Sequence, residues 1–140
     1  MSSLLEQAIL DAKELKEALI ANGVKTIEAK TIDLGAVRLV GLADLLPNDT
    51  REIRRNALRQ QDKPLLLLTH NPDSLLYLPK LSQPFVMLAG HTHGGQVNLP
   101  VFTERVLSIV TNGKYKRGLY PLEANNQLFV TSGIGMVGLP

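Results

Sequence analysis

The sequence of 140 residues contains no cysteine. A disulfide framework and a thiolate metal site are therefore excluded, so any metal ion must take imidazole, carboxylate, amide or water ligands. Tryptophan is also absent and aromatic residues make up only 4% of the chain, which argues against a nucleic-acid surface built on base stacking. No uninterrupted apolar run approaches the ~18 residues of a membrane span, and residues 1–20 mix charged with apolar positions, unlike a signal peptide.

A strong excess of charge of one sign is lacking as well. The formal net charge is +2, and the composition of 44% hydrophobic and 20% charged residues is typical of a globular protein that fits a cytoplasmic location. So small an excess does not recruit nucleic acid or a membrane by itself. The densest basic stretch holds Arg51, Arg54, Arg55 and Arg59. We interpret it as the solvated face of a helix and expect no specific nucleic-acid binding.

The apolar and turn residues predict one α/β domain over residues 1–140. An amphipathic helix is predicted over residues 4–19, ending at Asn22-Gly23, and a second one from Thr50 to Gln60. Short strands are predicted over residues 24–27, 31–34, 36–42, 64–69, 84–89, 114–120 and 127–132. The fourth and fifth of these are continuous apolar runs with a helix from Asp73 to Leu81 between them. This order indicates parallel strands covered on both faces.

The histidines form the most informative pattern in the chain. Two of the three lie in residues 90–96, Gly-His-Thr-His-Gly-Gly-Gln. His70 and His91 each follow a predicted buried strand at its carboxyl end, which is where open α/β sheets bind ligands. A His-x-His pair in an extended segment places both rings on one side, and the glycines leave room for a ligand. Since neutral imidazole is a common ligand of zinc, iron and manganese, His70, His91 and His93 are candidate metal ligands.

Three segments of the chain resemble the calcineurin-like metallophosphoesterases, and in particular their bacterial branch of small phosphodiesterases. They are residues 69–73 (Thr-His-Asn-Pro-Asp), 90–96 (the glycine- and histidine-rich motif) and 132–140 (Ser-Gly-Ile-Gly-Met-Val-Gly-Leu-Pro). The resemblance covers essentially the whole chain. It implies that residues 1–140 are the carboxyl-terminal half of a four-layer α/β/β/α sandwich with mixed sheets, in which the amino-terminal half carries the other metal ligands.

The resemblance also implies an activity and a division of roles. The activity is hydrolysis of phosphoester bonds by two divalent transition-metal ions, manganese, iron or zinc, which polarise the phosphate. His70 and His91 match ligands of one metal, and His93 matches a ligand of the other. Residues that could orient these ligands or contact substrate are Asn71, Asp73, Gly94, Gly95 and Gln96. Asp73 is equally well explained as the N-cap of the following helix.

The chain departs from the family pattern in its acidic ligands. The family's Asp-x-His, Gly-Asp and Gly-Asn-His motifs, which supply the bridging carboxylate and the catalytic imidazole, do not occur in these residues. The catalytic histidine is therefore expected in the amino-terminal half of the same enzyme, the expected partner besides a phosphoester substrate. The 140 residues alone are predicted to be inactive or weakly active, and membrane association is expected only through a segment outside them. The alternative is a non-catalytic module that binds one ion or none.

Overall fold

The computed structural model describes residues 13–42, 58, 62–92, 94 and 114–133. Their strands form one mixed sheet of six strands in the order β1-β2-β3-β4-β6-β5. The strands are β1 (Thr31–Asp33), β2 (Arg38–Gly41), β3 (Leu65–Leu68), β4 (Phe85–Ala89), β5 (Gly118–Pro121) and β6 (Gln127–Val130). The strands β2, β3, β4 and β6 are parallel, and β1 and β5 pair antiparallel at the two ends of this order. The mixed α/β sheet that the sequence predicts is confirmed.

The two continuous apolar runs are adjacent parallel strands, as predicted. The expectation that both faces are covered is wrong, since β3 and β4 bury only alternate side chains and Val86 is 36% exposed. Leu65 is opposite Phe85 and Leu68 is opposite Leu88 in the register of β3 and β4. Alternate side chains of the sheet point to one face and form the core there. The members with no exposed surface are Val40, Leu67, Met87, Leu128 and Val130. This packing holds the ends of neighbouring parallel strands in fixed register.

Residues 13–21 are α-helical (α1), and the helix ends where the sequence predicts. Gly23 takes a left-handed conformation with φ 81°. The Gly23 N–H donates to the Ile20 carbonyl at 3.0 Å, and the Val24 N–H donates to the Leu19 carbonyl at 2.9 Å. These two bonds form a Schellman motif, which satisfies carbonyls left over at the helix end. No helix in the described part of the chain is long and apolar enough to cross a membrane.

Other predicted elements need correction. Residues 24–27 do not form a strand, and only an isolated bridge joins the following residue, Glu28, to Gly41 at the end of β2, whose two sides pair with β1 and β3. The helix predicted from Asp73 to Leu81 is a shorter 3-10 helix, Pro72–Tyr77. A second 3-10 turn, Glu123–Asn125, joins β5 to β6.

The remaining differences concern the limits of predicted elements. The strand predicted over residues 114–120 begins only at Gly118, after a turn held by side-chain hydrogen bonds. The helix predicted from Thr50 to Gln60 and its arginines lie outside the described residues.

Candidate functional site

The parallel strands β2, β3, β4 and β6 all end at one edge of the sheet, which we call the carboxyl edge (residues 42, 69–71, 90–92, 94 and 131–133). Backbone hydrogen bonds continue beyond the strands there. The Thr69 N–H donates to the Leu88 carbonyl at 3.0 Å, and the Gly90 N–H donates to the His70 carbonyl at 3.0 Å. The Thr131 N–H donates to the Ala89 carbonyl at 2.8 Å. These bonds therefore fix the main chain around His70 and at the end of the neighbouring strand β4.

This backbone arrangement brings the imidazole rings of His70 and His91, two of the three predicted metal ligands, into contact. Nδ1 of His91 lies 2.9 Å from Nε2 of His70, and the ring planes are inclined by 77° with centroids 4.7 Å apart. His70 is exposed, whereas His91 is half-buried. Nε2 of His91 is buried and has no hydrogen-bond partner among the described residues. The third predicted ligand, His93, lies outside the described residues.

The short distance between His91 Nδ1 and His70 Nε2 has two chemical interpretations. In the first, one neutral ring donates an N–H to the lone pair of the other. In the second, both lone pairs belong to one divalent ion: with metal–nitrogen bonds of about 2.0–2.1 Å meeting at a right angle, the two nitrogens stand about 3 Å apart. The measured 2.9 Å fits such a pair of ligands. The described residues contain no group of three or more His, Cys, Asp or Glu side chains that could hold a metal ion, so they offer this pair and no complete site.

His91 itself adopts an unusual backbone conformation. Its φ is 71°, in the left-handed region, so the expectation of an extended His-x-His segment is wrong at its first histidine. For an L-residue this conformation costs roughly 1–2 kcal/mol. Backbone strain of this kind concentrates at functional sites. In this conformation the His91 ring lies edge-on against the His70 ring.

Asn71 orders the turn that follows His70. Its side-chain oxygen accepts the Asp73 N–H at 2.9 Å, and its backbone is extended with ψ 125°. Asn71 is therefore the N-cap of the 3-10 helix, and Asp73, which the sequence made a candidate cap, lies in its first turn instead. Thr69 and Ser74 support the same turn through hydroxyl groups 2.8 Å apart.

Gly94 packs closely against two other segments. It has φ 67°, and a Cβ added there would lie 3.0 Å from the Ser132 Cβ and 3.5 Å from the Arg117 Cδ. The segment after His91 is thus confined by the end of β6 and by the turn before β5. Gly95 and Gln96, the other candidate residues of this motif, lie outside the described residues.

Sequence reasoning missed a basic turn beside the imidazoles. The buried hydroxyl of Thr92 donates to the Lys116 carbonyl. The Tyr120 hydroxyl accepts the N–H groups of Lys116 and Arg117 at 2.9 and 3.2 Å and donates to the Arg117 carbonyl at 3.2 Å. The alternation of lysine and tyrosine in residues 114–117 was the available signal, but nothing in the sequence places this turn next to His91.

Known proteins similar to this chain are mostly bacterial. Uncharacterised metallophosphoesterases of Campylobacter jejuni and Helicobacter pylori are 34% and 31% identical over 120 and 114 residues, covering 82% and 78% of this chain. The chain spans 30% of the length of each. Phosphodiesterase YaeI of Escherichia coli is 33% identical over 98 residues, which are 69% of this chain and 34% of that protein. No protein-family model matches the chain, and no solved structure does.

Proposed function

The chain belongs to the calcineurin-like metallophosphoesterase family, and from this premise we propose that it takes part in metal-dependent hydrolysis of phosphoester bonds. His70 and His91 are ligands of one divalent ion, and His93 is a ligand of a second. The observation that carries the proposal is the 2.9 Å approach of His91 Nδ1 to His70 Nε2 at the ends of adjacent parallel strands. The name of the E. coli relative, a phosphodiesterase, makes a phosphodiester the first substrate to test.

The chain's own side chains have a defined task in this scheme. His70 offers the Nε2 lone pair and carries its proton on Nδ1, whereas His91 offers Nδ1 and carries its proton on the buried Nε2. The fixed main chain at His70 and Gly90 keeps the two lone pairs aligned before an ion arrives. When bound, divalent manganese, iron or zinc polarises the phosphate and stabilises the charge that develops on it.

The proposal assigns the chain one half of a dinuclear site. Imidazoles bring no negative charge, and two divalent cations side by side repel strongly without an anionic bridge. The motifs that would supply a bridging carboxylate and a catalytic imidazole do not occur in these 140 residues. We therefore assign them to an amino-terminal half of the same enzyme. The proton for the leaving group comes from that half as well.

The decisive experiment measures metal content and hydrolysis together. The 140-residue chain is expected to bind at most one manganese ion per chain and to hydrolyse an aryl phosphodiester barely above background. Fusing an amino-terminal segment that carries the missing motifs should add the second ion and turnover. In the fusion, His91→Ala should lower kcat/KM more than ~100-fold, since residues that merely orient a metal ligand already cost about 10–100-fold when they are changed.

The matched control is Asp33→Asn, which changes a polar side chain at the opposite edge of the sheet and should leave kcat/KM unchanged. Two metal ions per chain together with His91-dependent turnover from the 140 residues alone would contradict the half-site assignment. Full turnover in the His91→Ala fusion would contradict the metal-ligand role.

A second candidate function is a non-catalytic module that binds one ion or none. It is favoured by the absence of the acidic motifs from the sequence and by the incomplete ligand set among the described residues. This module would bind manganese through His70 and His91 without turnover in the fusion as well. The fusion assay therefore separates the two functions.

A further inference from the structure

The basic turn (Lys116–Arg117) lies against Thr92 and Gly94, which follow His91 in the chain. Its carbonyl at Lys116 accepts the hydroxyl of Thr92, the residue next to His91. The side-chain stem of Arg117 lies 3.5 Å from where a Cβ on Gly94 would be. The turn therefore contacts two residues, Thr92 and Gly94, that lie close to His91 in the chain.

Two tyrosine side chains, Tyr115 and Tyr120, support the backbone of the basic turn. The Tyr120 hydroxyl binds both backbone N–H groups of the turn and the Arg117 carbonyl. The Tyr120 ring packs edge-on against Tyr115, with centroids 5.1 Å apart, and Tyr115 is only 6% exposed. Because the backbone polar groups are already satisfied, the two cationic side chains are what this turn offers to a ligand.

Neither cation is neutralised by the protein that the structure describes. The ion pairs among the described residues involve Lys13, Lys16, Arg38 and Lys63, and none involves Lys116 or Arg117. Arg117 is exposed and Lys116 is half-buried. The guanidinium of Arg117 and the ammonium of Lys116, on consecutive residues, both suit phosphate oxygens, the first through paired N–H donors and the second as a point charge.

We propose that Lys116 and Arg117 form an anion subsite that binds a phosphate group of the ligand beside the imidazole pair. The inference rests on the proposed function for its substrate class. A phosphodiester brings one negative charge, which the ion held by His70 and His91 would meet. Two further cations on a rigid turn select phosphoesters that bring additional negative charge, namely diphosphates and terminal monoesters.

The test measures binding without catalysis. The 140-residue protein, stripped of metal with a chelator that is then removed, is titrated calorimetrically with pyrophosphate and with inorganic phosphate. Pyrophosphate should bind more tightly than phosphate, and Arg117→Gln should weaken pyrophosphate binding about tenfold, the size of one charge-assisted hydrogen bond. Lys116→Gln should weaken it less, because a lysine at this site acts as a single point charge.

The matched control is Lys80→Gln, which removes an exposed lysine in the loop that leads into the opposite end of β4. Unchanged pyrophosphate binding in this variant, with the loss in Arg117→Gln, supports a defined subsite. Equal losses in both variants, wild-type affinity in Arg117→Gln, or pyrophosphate binding too weak to measure would overturn it.

The hydrolysis assay separates this inference from the proposed function. If pyrophosphate binding depends on Arg117 but the fusion protein hydrolyses no phosphoester, the subsite is supported and the proposed activity is contradicted. If turnover of the fusion protein depends on His91 but Arg117→Gln leaves the KM of a diphosphate ester unchanged, the proposed activity is supported and the subsite is overturned.

Discussion

The two edges of the parallel sheet are held together in different ways. At the amino edge, where β2 and β3 begin, exposed ion pairs join the elements: Lys63 lies 2.8 Å from Asp33, and Arg38 lies 2.9 Å from Asp62. Backbone hydrogen bonds continue beyond the strands at both edges, as from the Arg38 N–H to the Pro64 carbonyl at the amino edge. The carboxyl edge adds close backbone packing at Gly41 and the imidazole pair in place of ion pairs. The charges of the amino edge are matched within the protein, whereas the carboxyl edge keeps a buried His91 nitrogen without a partner among the described residues.

This difference indicates which edge is available to a ligand. A cation whose carboxylate already lies within hydrogen-bond distance has little left to gain from a phosphate, and exposed pairs of this kind add only ~0–1 kcal/mol to stability. The carboxyl edge instead carries a left-handed residue at His91 and a buried ring nitrogen that has no partner in the part of the chain that the structure describes, both of which lower stability. These two destabilising features therefore lie at the edge where ligands bind in α/β folds.

The sharpest test of the comparison is Gly41→Ala at the carboxyl end of β2. A Cβ on Gly41 would lie 2.0 Å from the Ile27 carbonyl oxygen, where residues 27–30 cross this edge. Because that obstacle is backbone, it cannot rotate away, and we expect a loss of about 1–3 kcal/mol or more in the free energy of unfolding. Urea denaturation followed by circular dichroism measures it.

Gly35→Ala is a poor control for this change, since Gly35 has φ 85° and would be strained by any side chain. Ala36→Ser, at an exposed position in the same β1–β2 turn, is the better one and should be neutral. A Gly41→Ala protein as stable as the wild type would show that this edge is not built on close backbone contact.

The second test concerns the strain at His91. His91→Gly relieves the left-handed backbone and removes the unpaired ring nitrogen, whereas His91→Ala removes only the nitrogen. We expect the glycine variant to be more stable than the alanine variant by about 1 kcal/mol, measured by urea denaturation without added metal. Both variants should fold cooperatively, because the half-buried ring is no part of the core. An alanine variant that matches or exceeds the glycine variant would remove the argument for stored strain.

The smallest effect is expected at the amino edge. Hydrogen bonds from Lys63, and then from the Gly35 N–H, hold the pKa of Asp33 below its usual value. A folded-state pKa that is lowered contributes stability above the unfolded pKa, and this contribution is lost as the pH falls through the folded value. Lys63→Gln should therefore be slightly less stable than the wild type at pH 6, and the gap should close below about pH 4.

Urea midpoints at pH 6 and pH 3 measure this gap, with Lys80→Gln as the control for loss of a lysine. A gap at pH 3 as wide as at pH 6 would mean that Lys63 stabilises the edge through its aliphatic stem and not through Asp33. A loss exceeding that of Gly41→Ala would reverse the comparison of the two edges.

Local sequence patterns alone predicted the parallel strands and one helix end. The continuous leucine run at residues 65–68 and the apolar run at residues 85–89 correctly indicated parallel strands, but not that only alternate side chains of each are fully buried. Asn22-Gly23 marked the helix end, since glycine tolerates the left-handed conformation that a Schellman motif requires. Strand-end placement of His70 and His91 followed from the same runs, and so did the expectation that their rings share one edge of the sheet.

Only the tertiary structure determined the conformation and contacts of the residues at the carboxyl edge. Local pattern did not predict the left-handed conformation of His91 or the absence of residues 24–27 from the sheet. It also left open which residue caps the 3-10 helix, which the structure assigns to Asn71 through its bond to the Asp73 N–H. The same holds for the basic turn, which lies beside Thr92 although 24 residues separate Thr92 from Lys116. Periodicity and turn chemistry report on interactions within a few residues, whereas the pairing of segments across a sheet is set by packing and by the backbone groups that remain to be satisfied.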